Sequence, residues 1–151
     1  MNRILIEIAF DLFKPLERIA RRVRGPGVLR LCERIVRSYS TTPGRGLPIG
    51  SLTSQHFANL CLAPFDRWLL EAARALGMVR YMDDTVWWVR NREQARATLA
   101  DARGFLAEHC GLRLNEPAQI QRSAQGLTFC GFRVTKGALR LSRRRRRRYA
   151  D

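Results

Sequence analysis

Lysine is nearly missing from this chain. Only Lys14 and Lys136 stand among 28 basic residues, set against 13 acidic ones, so a net charge of +15 is carried almost wholly by arginine. Arginine's flat fork grips phosphate at two points, and such an excess predicts a polyanionic partner, nucleic acid first of all. Cysteine is scarce as well. Cys32, Cys61, Cys110 and Cys130 are widely spaced and form no CxxC pair, which argues against a structural zinc site and against a disulfide framework. No apolar run approaches the roughly 20 residues of a membrane span. Glu7 and Asp11 interrupt the apolar stretch that a signal peptide would need. The expectation is a cytoplasmic chain without a membrane partner. Aromatic residues are few, at 9%, yet hydrophobic residues reach 46%, enough for a core and against wholesale disorder. A length of 151 residues suits one domain.

The pattern along the chain predicts the elements. Residues 4–10 read as a buried strand. Residues 11–24 carry Leu12, Leu16, Ile19 and Val23 at helical spacing, and Gly25-Pro26-Gly27 ends that helix. A second helix is expected over 28–39, with Leu31, Ile35 and Tyr39 on one face. Residues 41–50 form a loop rich in glycine and proline, and a long helix over 51–76 follows, with Leu52, Gln55, Asn59, Leu62 and Asp66 along one stripe. Residues 78–82 and 85–89 are strand-like, with only Asp83-Asp84 between them, so a hairpin with both carboxylates at its turn is expected. Asn91 can cap the next helix with Gln94 as its box partner, and Ala95, Leu99, Ala102 and Leu106 share its apolar face. Short strands are expected at about 119–122, at 127–134 and, across a Lys136-Gly137 turn, at 138–141. Arg143–Arg148 are six arginines in a row. The order predicts an α+β fold, an antiparallel sheet with helices on one face, over residues 1–142, followed by an arginine-rich tail over 143–151.

Asp83 and Asp84 carry the sharpest chemical signal. Two neighbouring carboxylates repel unless a cation lies between them. Hard oxygen donors suit Mg²⁺, and in so basic a chain a pair of Mg²⁺ ions working on phosphate is the natural use. Asp-Asp is also a common turn dipeptide, and the two residues alone do not decide between these readings.

Three segments together do more. GLPIGSLTSQHFAN (46–59), YMDD (81–84) and FCGFRV (129–134), in this order and spacing, resemble the palm of reverse transcriptases, over roughly residues 41–142. Among bacterial diversity-generating-retroelement and group II intron-like reverse transcriptases, IGSLTSQ (49–55) is similar to the form found in diversity-generating retroelements; most group II intron and retron relatives have a different ending there. The resemblance implies an antiparallel palm with a ferredoxin-like core and template-directed addition of deoxynucleotides to a primer, with two Mg²⁺ or Mn²⁺ ions as cofactors. Its partners would be an RNA template, a DNA primer and deoxynucleoside triphosphates. Asp83 and Asp84 would hold the metals. Tyr81, Met82, Pro48, Gly50, Ser54, Gln55 and Asn59 would contact nucleotide or template; for Ser54, Gln55 and Asn59 helix capping and surface polarity are the plain alternative. Phe129, Gly131 and Phe132 would form the primer grip. Arg143, Arg144, Arg145, Arg146, Arg147 and Arg148 would bind the nucleic-acid backbone, where a solvated tail is the alternative.

The chain also departs from the family. A third catalytic carboxylate is expected on the first strand, where Glu7 replaces the family's aspartate; Asp11 is the other candidate, and a helix cap is its ordinary explanation. The lysine that usually follows the Leu-Asn of LRLN (112–115) is missing. The family's fingers and thumb are not evident. The resemblance therefore implies a truncated palm. It would be an active enzyme, a catalytically impaired remnant that only binds nucleic acid, or a subunit completed by a protein partner.

Overall fold

A computed structural model of the chain describes residues 1–9, 19–37 and 52–148, those at 7–9, 36, 37 and 54 by their backbone alone. The helix expected from residue 11, the loop 41–50, and with them Asp11, Pro48 and Gly50, lie mostly or wholly outside the described residues.

Strand β1 (Asn2–Ala9) lies inside a four-stranded antiparallel sheet of order β2-β3-β1-β4, whose other members are β2 (Gly77–Tyr81), β3 (Asp84–Val89) and β4 (Arg113–Arg122). Helices α1 (Pro26–Arg37) and α2 (Leu52–Glu71) fall between β1 and β2, and α3 (Arg92–Phe105) falls between β3 and β4. Each helical crossover skips one strand, so β3 sits between β1 and β2, and β1 between β3 and β4. That is the split βαβ arrangement of a ferredoxin-like core, and the α+β class expected from the sequence is the class observed.

Alternation decides which face is buried. Ile4 and Ile6 of β1 and Trp87 and Val89 of β3 join Leu62, Phe65 and Leu69 of α2 and Ala95, Leu99 and Ala102 of α3 in one buried cluster. Phe65 meets Trp87 edge-on, with ring centroids 6.4 Å apart. The start of α3 follows its sequence signal: the Gln94 amide donates to Asn91 Oδ1 at 2.7 Å, and Gln94 Oε1 accepts from the Arg90 amide at 3.1 Å. A π-helical turn, Leu106–Cys110, extends α3 to Gly111, whose φ of 63° closes it in the left-handed region.

Strands β5 (Leu127–Phe129), β6 (Phe132–Thr135) and β7 (Ala138–Leu141) form a second, three-stranded antiparallel sheet, and α4 (Arg143–Arg148) follows it. Several boundaries differ from the sequence reading. Residues 127–134 are two strands, because Cys130 and Gly131 both take positive φ, 48° and 81°, and reverse the chain. The strand expected at 119–122 is the end of a ten-residue β4. Its register against β1 shifts between Leu5 and Glu7, where Pro117, which has no N–H to donate, passes. Helix α2 ends at Glu71, and Arg74, at φ 51°, turns the chain toward β2. Leu31 of α1, expected on a packed face, is exposed. No described helix is long and apolar enough to cross a membrane.

Candidate functional site

Tyr81 pairs directly with Asp84, so the residues between β2 and β3 are Met82 and Asp83, one position earlier than the sequence suggested. Asp84 is already the first residue of β3. Met82 has φ 55° while Asp83 does not share the positive region, the pattern of a type II′ hairpin turn. Glycine usually fills the first position of that turn; a methionine there carries about 1–2 kcal/mol of backbone strain.

Around this turn, Arg80 is the most connected side chain. Its Nε and Nη2 donate to the two Asp66 carboxylate oxygens at 2.8 and 2.6 Å. Its Nη1 donates to Asn59 Oδ1 at 2.8 Å and to the Met82 carbonyl at 3.1 Å. Asn59, expected to face a base or sugar, is thus exposed but engaged by Arg80. Gln55 is half-buried on the same helix, and Ser54 lies in its first turn.

Register brings the carboxylate-bearing positions together. Asp84 pairs with Tyr81 on one side and with Glu7 on the other, and Glu7 pairs in turn with Asn115 of β4. The neighbouring pair, Ile6 and Thr85, is buried on the helical side. Positions 81, 84 and 7 therefore belong to the opposite face of the sheet, away from α2 and α3; that face is exposed at Tyr81 and closed farther along, where Val86 and Arg3 are buried. Asp83 and Asp84 are half-buried, and Tyr81 is exposed.

Two adjacent carboxylates fit a hard divalent cation. Mg²⁺ typically takes one or two protein carboxylates and completes its shell with water and substrate phosphate. Among the described residues, no three His, Cys, Asp or Glu side chains gather into a fuller cage.

The β5–β6 turn lies within electrostatic range of this pair. Burial pushes the Cys130 thiol pKa up, Asp84 and then Asp83 push it further, and Arg145 opposes them. The Arg145 guanidinium lies 5.3 Å from the Phe132 ring centroid. The same side chain passes so close to Gly131 that a Cβ added there would meet its Cδ and Cζ at 2.7 Å. The Ser142 amide donates to the Gly131 carbonyl at 3.0 Å, so the start of α4 is fixed to the hairpin. Phe129 and Phe132, paired across the hairpin, are half-buried. Next to them is a groove of about 850 Å³, lined among others by Thr128, Arg133, Arg140, Arg143, Arg144 and Arg146. Arg143–Arg148 are all exposed.

The sequence reading missed Arg80, Arg133 and Arg140, and it gave Asp66 and Cys130 no functional role. Arg133 and Arg140 face one another across β6 and β7. That like-charge pair appears only once the strands are aligned.

A profile of the family described as reverse transcriptase (RNA-dependent DNA polymerase) matches residues 13–134, about four-fifths of the chain. It begins after β1, so Glu7 lies outside the matched segment. No curated protein matches the chain. Domains of this family generally use divalent metal ions and act on nucleic acid and nucleotides. With YMDD placed on the β2–β3 hairpin of an antiparallel α+β fold and the match covering most of its length, the chain belongs to the reverse transcriptase family.

Proposed function

We propose that the chain is a polymerase palm, adding deoxynucleotides to a primer under the direction of an RNA template. The observation that carries this reading is the register Tyr81–Asp84–Glu7, which lines up two carboxylate positions on adjacent strands beside Asp83. Asp83 and Asp84 hold the divalent ions, and Glu7 occupies the place of the third carboxylate. When bound, Mg²⁺ supplies the Lewis acidity that activates the primer hydroxyl and stabilises the departing pyrophosphate. Tyr81, exposed beside Asp84, offers an aromatic surface to the incoming nucleotide.

The second sheet positions the primer. Arg133 and Arg140 face each other across neighbouring strands, with the Arg133 guanidinium held by the Gln125 carbonyl and Thr128 Oγ1. With the α4 arginines they form a groove suited to a phosphate backbone, and the Cys130–Gly131 turn links that groove to the carboxylates.

A second reading is a chain that binds nucleic acid without polymerising. It is favoured by the position of Glu7, where a longer glutamate stands on β1 beside Asp84 in place of the family's aspartate. Primer extension on an RNA template with Mg²⁺ or Mn²⁺, run beside Asp83→Ala/Asp84→Ala, separates the two. Extension by the unmutated chain and none by the variant is expected. No extension by either, with nucleic acid still bound, leaves the binding reading standing.

A further inference from the structure

We propose that Arg80 is a positioning residue that fixes the Met82–Asp83 peptide of the carboxylate turn; the proposal rests on the reading of Asp83 and Asp84 as metal ligands. One guanidinium does two jobs. Nε and Nη2 form a bidentate pair with Asp66 of α2, at 2.8 and 2.6 Å. That fork fixes the plane of the group. Nη1 is then aimed at two acceptors, Asn59 Oδ1 at 2.8 Å and the Met82 carbonyl at 3.1 Å. Met82 is the turn residue with the positive φ, so its carbonyl belongs to the peptide that leads directly into Asp83. A peptide held from one side by a fixed donor keeps its orientation; a flip would turn the Met82 carbonyl away from Arg80 and drive Asp83 as well as Met82 to positive φ.

Burial fits this role. The Arg80 side chain is 10% exposed and Asp66 26%, so the contact is largely sheltered from water. The alternation of β2 puts Arg80, paired with buried Thr85, on the helical side of the sheet while Tyr81 lies on the open side. The residue therefore acts from behind the site, through the backbone, and does not occupy the space where a substrate would bind. Lysine could keep the charge but cannot form the fork and reach the Met82 carbonyl together.

The test uses the full chain with Arg80→Lys and, as a second shape-conserving variant, Asp66→Asn. Two readouts are taken: hydrogen exchange of the 82–84 amides, and Mn²⁺ binding followed by electron paramagnetic resonance. Parent and both variants are expected to unfold cooperatively, with faster exchange in the variants confined to the turn. Half-saturation by Mn²⁺ is expected to rise about tenfold, the usual effect of losing a residue that orients a metal ligand. Unchanged turn exchange overturns the proposal. So does unchanged Mn²⁺ affinity in a chain whose binding is lost in Asp83→Ala/Asp84→Ala. Should the parent bind Mn²⁺ no better than that double variant, the metal reading fails by itself, and the exchange rates still decide the role of Arg80.

Discussion

Trp87 of the four-stranded sheet is fully enclosed, whereas Leu139 of the three-stranded sheet is 66% exposed. The contrast runs through both regions. The first sheet is covered on one face by α2 and α3 and buries isoleucine, valine and tryptophan against them. The second buries none of its large hydrophobic residues and leaves Val134, Leu139 and Leu141 in solvent, beside a wall of arginines. One sheet is held by its own core. The other pairs Arg133 with Arg140 across its strands and keeps much of its apolar surface exposed. The core and the arginine-rich surface thus belong to different parts of the molecule, and the Cys130 thiol, on the second, feels the charge of the carboxylate pair on the first.

The sharpest way to break this comparison is to truncate both markers. Trp87→Ala is expected to cost about 3–5 kcal/mol, and Leu139→Ala to stay within about 0.5 kcal/mol, in urea unfolding. Equal losses would show that the second sheet has a core of its own. Gly131→Ala comes next. The new Cβ meets Arg145 and sits at a φ of 81°, for which about 1 kcal/mol is expected. Its larger effect should be on oligonucleotide binding, with weaker affinity and a shallower dependence on salt. A normal salt slope would mean that Arg145, packed on Gly131 beside the groove, makes no contact with the oligonucleotide. Thr85→Val should have the opposite sign. The Thr85 hydroxyl is buried without a hydrogen-bond partner among the described residues, and an apolar group of the same shape is expected to raise stability by about 1 kcal/mol. A loss would reveal a partner for that hydroxyl.

The smallest effect concerns Cys130. Its thiol pKa is raised by burial and by the two aspartates. A raised pKa in the folded state favours the neutral thiol, so this contribution to stability is full below the unfolded value of about 8.5 and is lost as pH climbs through the folded one. Asp83→Asn/Asp84→Asn should lower the folded pKa and speed alkylation of Cys130 by iodoacetamide in mildly alkaline buffer, read by peptide mass spectrometry. An unchanged rate would mean that burial alone sets it.

What could be read from the sequence was whatever depends on local spacing. The α3 cap, its apolar face and its glycine stop were all visible because helical periodicity and capping act within a few residues. The β2–β3 hairpin was visible too, but its turn was placed one residue late. Asp-Asp is ordinary turn chemistry, whereas a methionine at positive φ is not. The same effect hid the Cys130–Gly131 turn: cysteine rarely takes a left-handed conformation, so FCGFRV read as one strand. Strand β4 was read as short because its first half is polar and contains Pro117. The Arg80–Asp66 pair joins residues 14 apart in the chain on different elements, and no local pattern announces it.

The central position of β3 has a consequence for the length of the chain. Hydrogen-bonded on both sides, by β2 and β1, it has no slack. Side chains alternate with a period of two. One residue inserted inside this strand, with Trp87 and Val89 still seated in the core, would turn Asp84 from the open face into the layer of Ile6 and Leu62. Substitution at these positions changes chemistry by degrees, but a single insertion or deletion removes a carboxylate from the site outright. The spacing from YMDD to the tryptophan pair is therefore a quantity that descendants of this sequence must inherit unchanged, however freely their surface residues vary.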